Sequence, residues 1–82
     1  MSQKSFLELQ AILSENIKTL RAERGLAQER LGLEAGVDRT LVSKIERQIA
    51  NPTLEILVKL ATCLDVPVHR LLTEHEVSPT PK

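Results

Sequence analysis

The sequence predicts an all-α fold of five short helices, and three observations carry that expectation. Apolar residues recur at three- and four-residue spacing through most of the 82 residues. Capping side chains (Ser5, Asp38, Thr53) stand just before these runs, and Gly25 and Gly36 just after two of them. The apolar content is almost wholly aliphatic, with Phe6 the only aromatic, which suits packed helices. The centre of the pattern is residues 26–47, two short helical segments around a Gly-containing break, a helix-turn-helix signature.

Taken in order, residues 1–8 read as an N-terminal extension leading into the first helix, its first four residues frayed. Ser5-Phe-Leu-Glu8 has the spacing of a capping box, in which Ser and Glu each reach a backbone amide of the first turn, so the helix is expected to start at Ser5. Leu9, Ile12, Leu13, Ile17 and Leu20 form its apolar stripe. Arg21 and Arg24 fall in the last turn, where cations are favoured, and Gly25 ends it. Gln28 opens a second helix, Leu31 and Ala35 share one of its faces, and Gly36 ends it by adopting positive φ.

Asp38 is a good N-cap for a third helix, and Val42 and Ile45 lie three apart on one side of it. Arg39, Thr40, Ser43, Lys44 and Arg47 are left on the other, a polar and basic face with donors of the kind that read base edges and phosphates. Asn51-Pro52-Thr53 is a loop leading to a cap. Leu54, Leu57, Val58, Ala61 and Leu64 are the expected core stripe of a fourth helix, with Cys63 a small core or interface residue. Asp65-Val-Pro67 breaks it, and Pro at a first helical position starts a short fifth helix through Leu72. Residues 74–82, with Pro79 and Pro81, read as a disordered tail.

The elements Leu26-Ala-Gln28, Ala35-Gly36-Val37, Asp38-Arg-Thr, Val42-Ser-Lys-Ile45-Glu46-Arg47 and Asn51-Pro52-Thr53-Leu54 stand in register and lead into an amphipathic helix. Together they resemble the lambda-repressor-like helix-turn-helix domain of the Xre/Cro family. The resemblance covers residues 9–73, with the helix-turn-helix at 28–47. Val37-Asp-Arg-Thr and Ile45-Glu-Arg are also similar to the small controller proteins of restriction-modification systems.

The resemblance implies roles for particular residues. Gln28, with the helix N-terminus, holds a DNA phosphate. Arg39, Thr40, Ser43 and Lys44 meet base edges, Arg39 and Lys44 suiting guanine, and Arg47 and Asn51 lie at the exit of the reading helix as further DNA-contact candidates. Glu46 pairs with Arg21 and ties the reader to the scaffold. Val68, Leu71 and Leu72 form a dimer contact, or else close the monomer's own core. Ala27 replaces the usual Ser or Thr cap and Gly32 the usual Ala, each weakening the second helix by about 1 kcal/mol. Gln48 stands where Gly is common, so a different turn is expected there.

Composition bounds the rest. A chain of this length makes one domain with no room for a separate effector unit. Lys and Arg number 11, as do Asp and Glu, so the whole-molecule basic footprint of many nucleic-acid binders is missing. Residues 39–47, however, carry Arg39, Lys44 and Arg47 against the single acid Glu46, and charge can be positive on one face of a neutral molecule. A lone Cys63 excludes an internal disulfide and fits a reducing compartment. Neither a signal peptide nor a membrane-length apolar run is present, so a cytoplasmic protein without membrane contact is expected.

Neither His69 nor His75 has the partners of a metal or catalytic site. No nucleophile with a base, phosphate loop or metal spacing occurs, so no enzyme, cofactor or metal is expected. The reading is a homodimeric, sequence-specific regulator of transcription on double-stranded DNA, a repressor or autoregulator. Its rival is an antitoxin-like or adaptor module that binds a protein partner through Leu33, Leu41 and Ile49.

Overall fold

Residues 3–74 are described by the computed structural model. They form five helices, α1 (Phe6–Glu23), α2 (Gln28–Ala35), α3 (Arg39–Glu46), α4 (Leu54–Cys63) and α5 (Val68–Leu72), and no strand occurs among them. The expected disordered tail and His75 fall outside the described residues. α1 starts at Phe6 behind the capping box: Glu8 N–H donates to Ser5 Oγ at 3.1 Å, and Ser5 N–H to Glu8 Oε1 at 2.8 Å. The last residues of segment 1–8 thus belong to the helix.

Leu13, Ile17 and Leu20 of α1 meet Leu31, Val42, Ile45, Leu57, Leu60, Ala61, Leu64 and Leu71 in one core. In α4 the buried face is Leu57, Leu60, Ala61 and Leu64, which corrects the expected stripe. Leu54 is 70% exposed and Val58 is also exposed, because the helix turns its 57/60/61/64 ridge inward and leaves 54 and 58 on the outer side. Pro67 takes the N-cap of α5 and not its first turn.

The first four helices end in the same device. The residue after each C-cap, or in α2 the cap itself, has φ near +60 to +73°: Gly25, Gly36, Gln48 and Asp65. The next amide reaches back five residues, Leu26 to Arg21 O, Val37 to Gly32 O, Ile49 to Lys44 O and Val66 to Ala61 O, at 2.8–3.0 Å. This is the Schellman arrangement. Gln48, at φ 64°, therefore adopts the turn that Gly would make, at a cost in strain. The different exit expected after α3 does not occur, because the two backbone bonds it closes outweigh that cost.

Gly32 also has another meaning than a weak spot. A Cβ there would lie 2.5 Å from Val37 O and 3.3 Å from the Arg39 backbone, so the missing side chain lets α2 and the start of α3 come together. Three polar side chains lock α1 to distant backbone. Ser14 Oγ donates to Glu46 O at 2.6 Å, Gln10 Nε2 to Ala50 O at 2.7 Å, and the buried Asn16 amide to the carbonyls of Arg70, Leu71 and Thr73 at 2.8–3.1 Å. Arg70 Nη1 donates in return to Asn16 Oδ1 at 3.1 Å. Asn16 thus closes the C-terminal end of α5, whose own length is too short to satisfy those carbonyls.

Candidate nucleic-acid interface

The proposed reading helix is set by its ends. Asp38 Oδ1 accepts the Thr40 N–H at 2.7 Å, and that backbone bond is the main reason the Asp38 carboxyl is held below the usual carboxylate range, with Arg39 and Lys44 adding to it. Val42, Ile45 and Glu46 are buried, while Arg39, Thr40, Lys44 and Arg47 are exposed and Ser43 half-buried. α3 is therefore divided along its length, with core on one side and a polar, basic face on the other.

Gln28 and Glu29 of α2 and Arg39, Thr40 and Ser43 of α3 line one open groove where the two helices meet. Ala27 makes no side-chain cap bond, so the first-turn amides of α2 point outward without one, a favourable place for an anion. Lys44 lies exposed on the same helix as the groove's α3 residues, whereas Arg47 is the C-cap of α3 and Asn51 sits in the exposed loop before α4. These last two flank the groove and do not line it.

Behind the groove lies a buried carboxylate. The Glu46 side chain is 5% exposed, and Arg21, at 22%, approaches it through Nε at 2.7 Å and Nη2 at 3.0 Å. Bonding to Glu46 raises the Arg21 pKa further. Arg21 Nη1 donates to Leu26 O at 2.8 Å and Gln28 Nε2 to Glu46 Oε1 at 2.9 Å. One carboxylate thus joins the end of α1, the start of α2 and the end of α3. No spacing in the sequence signals the bond from Gln28 to Glu46. It leaves Gln28 one amide hydrogen and its oxygen for other partners and fixes the side chain at the groove's edge.

Glu29 also escaped the sequence reading. Its carboxylate lies 3.6 Å from Arg39 Nη1, both side chains being largely exposed. An acid in a helix's first turn ordinarily signals nothing beyond dipole complementation, so only the approach of α2 to α3 reveals it. Leu71 is corrected as a dimer contact: it is 0% exposed, its surface wholly consumed by the monomer core, while Val68 and Leu72 are half-buried against that core. Of the three apolar residues behind the adaptor reading, Leu33 and Ile49 are exposed but Leu41 packs against the core. Among the described residues no group of His, Cys, Asp or Glu is placed to hold a metal, and no helix is long and apolar enough to cross a membrane.

The five-helix fold recurs in proteins of known structure. A hypothetical transcription factor, NHTF, from Neisseria superposes with a TM-score of 0.79 at 34% identity, over 90% of this chain and 85% of its own. The DNA-binding domain of SinR from Bacillus subtilis gives 0.76 at 40% identity, over 80% of this chain and 99% of that domain. In sequence, control protein C.SmaI of Serratia marcescens is 38% identical over 68 residues, 83% of this chain and 81% of the controller. Against full-length SinR the chain spans 60% of the relative. Residues 17–71 match the profile of the HTH_3 helix-turn-helix family, and with two thirds of its length inside that match the chain belongs to this family.

Proposed function

We propose that this chain, a DNA-binding transcriptional regulator, works as a homodimer that sets α3 of each protomer into the major groove of a pseudo-palindromic operator. Residues 9–73 are the binding unit. Arg39, Thr40, Ser43 and Lys44 face base edges, while the α2 amides with Gln28, and the α3 exit with Arg47 and Asn51, lie along phosphates. The two readers stand about 34 Å apart, one helical turn of DNA.

The observation that supports this reading is the division of α3. Its inner side is held by Val42, Ile45 and the Glu46 carboxylate, and its outer side offers cations and hydroxyls beside an uncapped helix start. The names of the relatives, a control protein and transcription regulators, point the same way. With Leu71 enclosed, Val68 and Leu72 are what α5 offers a second protomer. Occupancy follows protein concentration through coupled dimerisation and binding, and occlusion of polymerase in the cytoplasm gives repression.

Selection of duplexes from a random pool by the wild-type chain, Arg39→Ala and Lys44→Ala, at fixed salt because phosphate contacts are salt-dependent, tests this. A two-fold motif that relaxes at different positions in the two variants is expected. Enrichment no better than non-specific binding would overturn the reading.

A further inference from the structure

Glu29 has no evident place on a surface that meets phosphates. It sits on the second residue of α2, in the groove that the proposed DNA contacts line, and is the only acid among that groove's residues. A carboxylate there opposes every duplex alike, since like charges repel across an interface from which water is leaving. Yet it stands 3.6 Å from Arg39 Nη1, the first residue of α3 and the one whose forked guanidinium suits guanine.

We propose that Glu29 is a positioning residue for Arg39: it holds the guanidinium across the α2–α3 groove and makes the chain's DNA binding conditional on what Arg39 finds. This rests on the DNA-binding reading above. The guanidinium has five N–H donors, so contact with Glu29 through Nη1 leaves others for the O6 and N7 of one guanine. When that guanine is present, Arg39 is shared between the base and Glu29, and the acid stays neutralised as water is expelled. When another base is present, the guanidinium stays on Glu29 as in the chain without DNA, so it neither bridges a base edge nor swings to a phosphate. Glu29 thereby weakens binding to wrong sites more than to the right one, and it does so without touching a base.

Glu29→Gln keeps the size and the exposed position while removing the charge. The probes are the duplex that the wild-type chain selects from a random pool, the same duplex changed at the base pair where Arg39→Ala relaxes selection, and a scrambled duplex of equal length. Glu29→Gln is expected to bind the scrambled duplex about two- to fivefold more tightly than wild type, the range of an exposed charge pair, and to lose a similar factor of discrimination between the selected and altered duplexes. In the Arg39→Ala background, Glu29→Gln should leave discrimination at that position unchanged, the signature of action through Arg39. Unaltered discrimination in Glu29→Gln overturns the proposal. So does an equal loss with and without Arg39, which would make Glu29 a direct reader, for example of a cytosine amino group. A wild-type chain that selects no duplex overturns the DNA-binding reading itself and this proposal with it, an outcome distinct from the other two.

Discussion

Replacing Arg21 is expected to cost this fold more than replacing the acid it pairs with. In Arg21→Ala the Glu46 carboxylate, 5% exposed, retains Gln28 Nε2 as its side-chain donor, and Leu26 O loses its 2.8 Å bond to Arg21 Nη1. In Glu46→Ala the guanidinium keeps Leu26 O and, at 22% exposure, can gather water. Breaking a buried pair by removing one partner costs about 3–5 kcal/mol. The nearly dry carboxylate places Arg21→Ala at about 3–4 kcal/mol, and the better hydrated guanidinium places Glu46→Ala at about 2 kcal/mol. Because about 1 kcal/mol moves the Tm of a domain this small by about 4–8 °C, the losses should be about 12–32 °C and about 8–16 °C. Thermal melts followed by circular dichroism at neutral pH measure both. The double variant should lose well under the sum of the two single losses, since the second removal takes away an orphan. Equal or inverted losses, or losses below about 1 kcal/mol in each, would show the pair to be a hydrated contact that holds nothing.

Three further outcomes are expected. Gln48→Gly should raise stability by about 1 kcal/mol by relieving a left-handed residue without disturbing the two backbone bonds of its turn; an unchanged or lowered denaturant midpoint would contradict this. Gly32→Ala should cost about 1–3 kcal/mol and weaken DNA binding as well, since its Cβ would push Val37 O at 2.5 Å, whereas Gly36→Ala, with open space around it, should cost only its backbone strain of about 1 kcal/mol. Urea titrations alongside duplex binding separate the two. For Asp38, whose folded carboxyl titrates lower than in the unfolded chain, the cap's stability is present above the ordinary Asp value of about 3.9 and is lost as pH falls through the folded value. The Tm gap between wild type and Asp38→Ala should therefore be full at neutral pH and close on acidification below about pH 4, and a constant gap would assign the effect to something other than the charged cap.

Features encoded within one or two turns of the chain could be read directly. The Ser5–Glu8 box, the Asp38 and Thr53 caps and the Gly25 and Gly36 ends are relations between residues five or fewer apart, and the structure keeps each of them. What could not be read depends on which elements come together. Gly32 looks like a defect in α2 until Val37 is seen to lie against it. Asn16 is an unexplained polar residue within an apolar stripe until the carbonyls of α5 are placed beside it. Leu71 is apolar at a chain end, and sequence cannot apportion such a residue between its own core and a partner. The site divides in the same way. The basic face of α3 follows from the spacing of Val42 and Ile45, but the Gln28–Glu46 bond and the approach of Glu29 to Arg39 follow from how α2 packs on α3.

The bond pattern around Asn16 also bears on the order of events in time. Its amide and the carbonyls it serves are separated by at least 54 positions, so a chain being synthesised has completed α1 through α4 before that amide has anything to hold. α5, with five residues, is too short to persist unaided. A contact formed only after the rate-limiting barrier governs escape from the native state more than entry to it, and that is the expectation for the docking of α5. Asn16→Ala should accordingly speed unfolding while leaving the refolding rate nearly unaltered, a split read from the two arms of a denaturant chevron, so that a contact made at the end of α5 sets the lifetime of the native state.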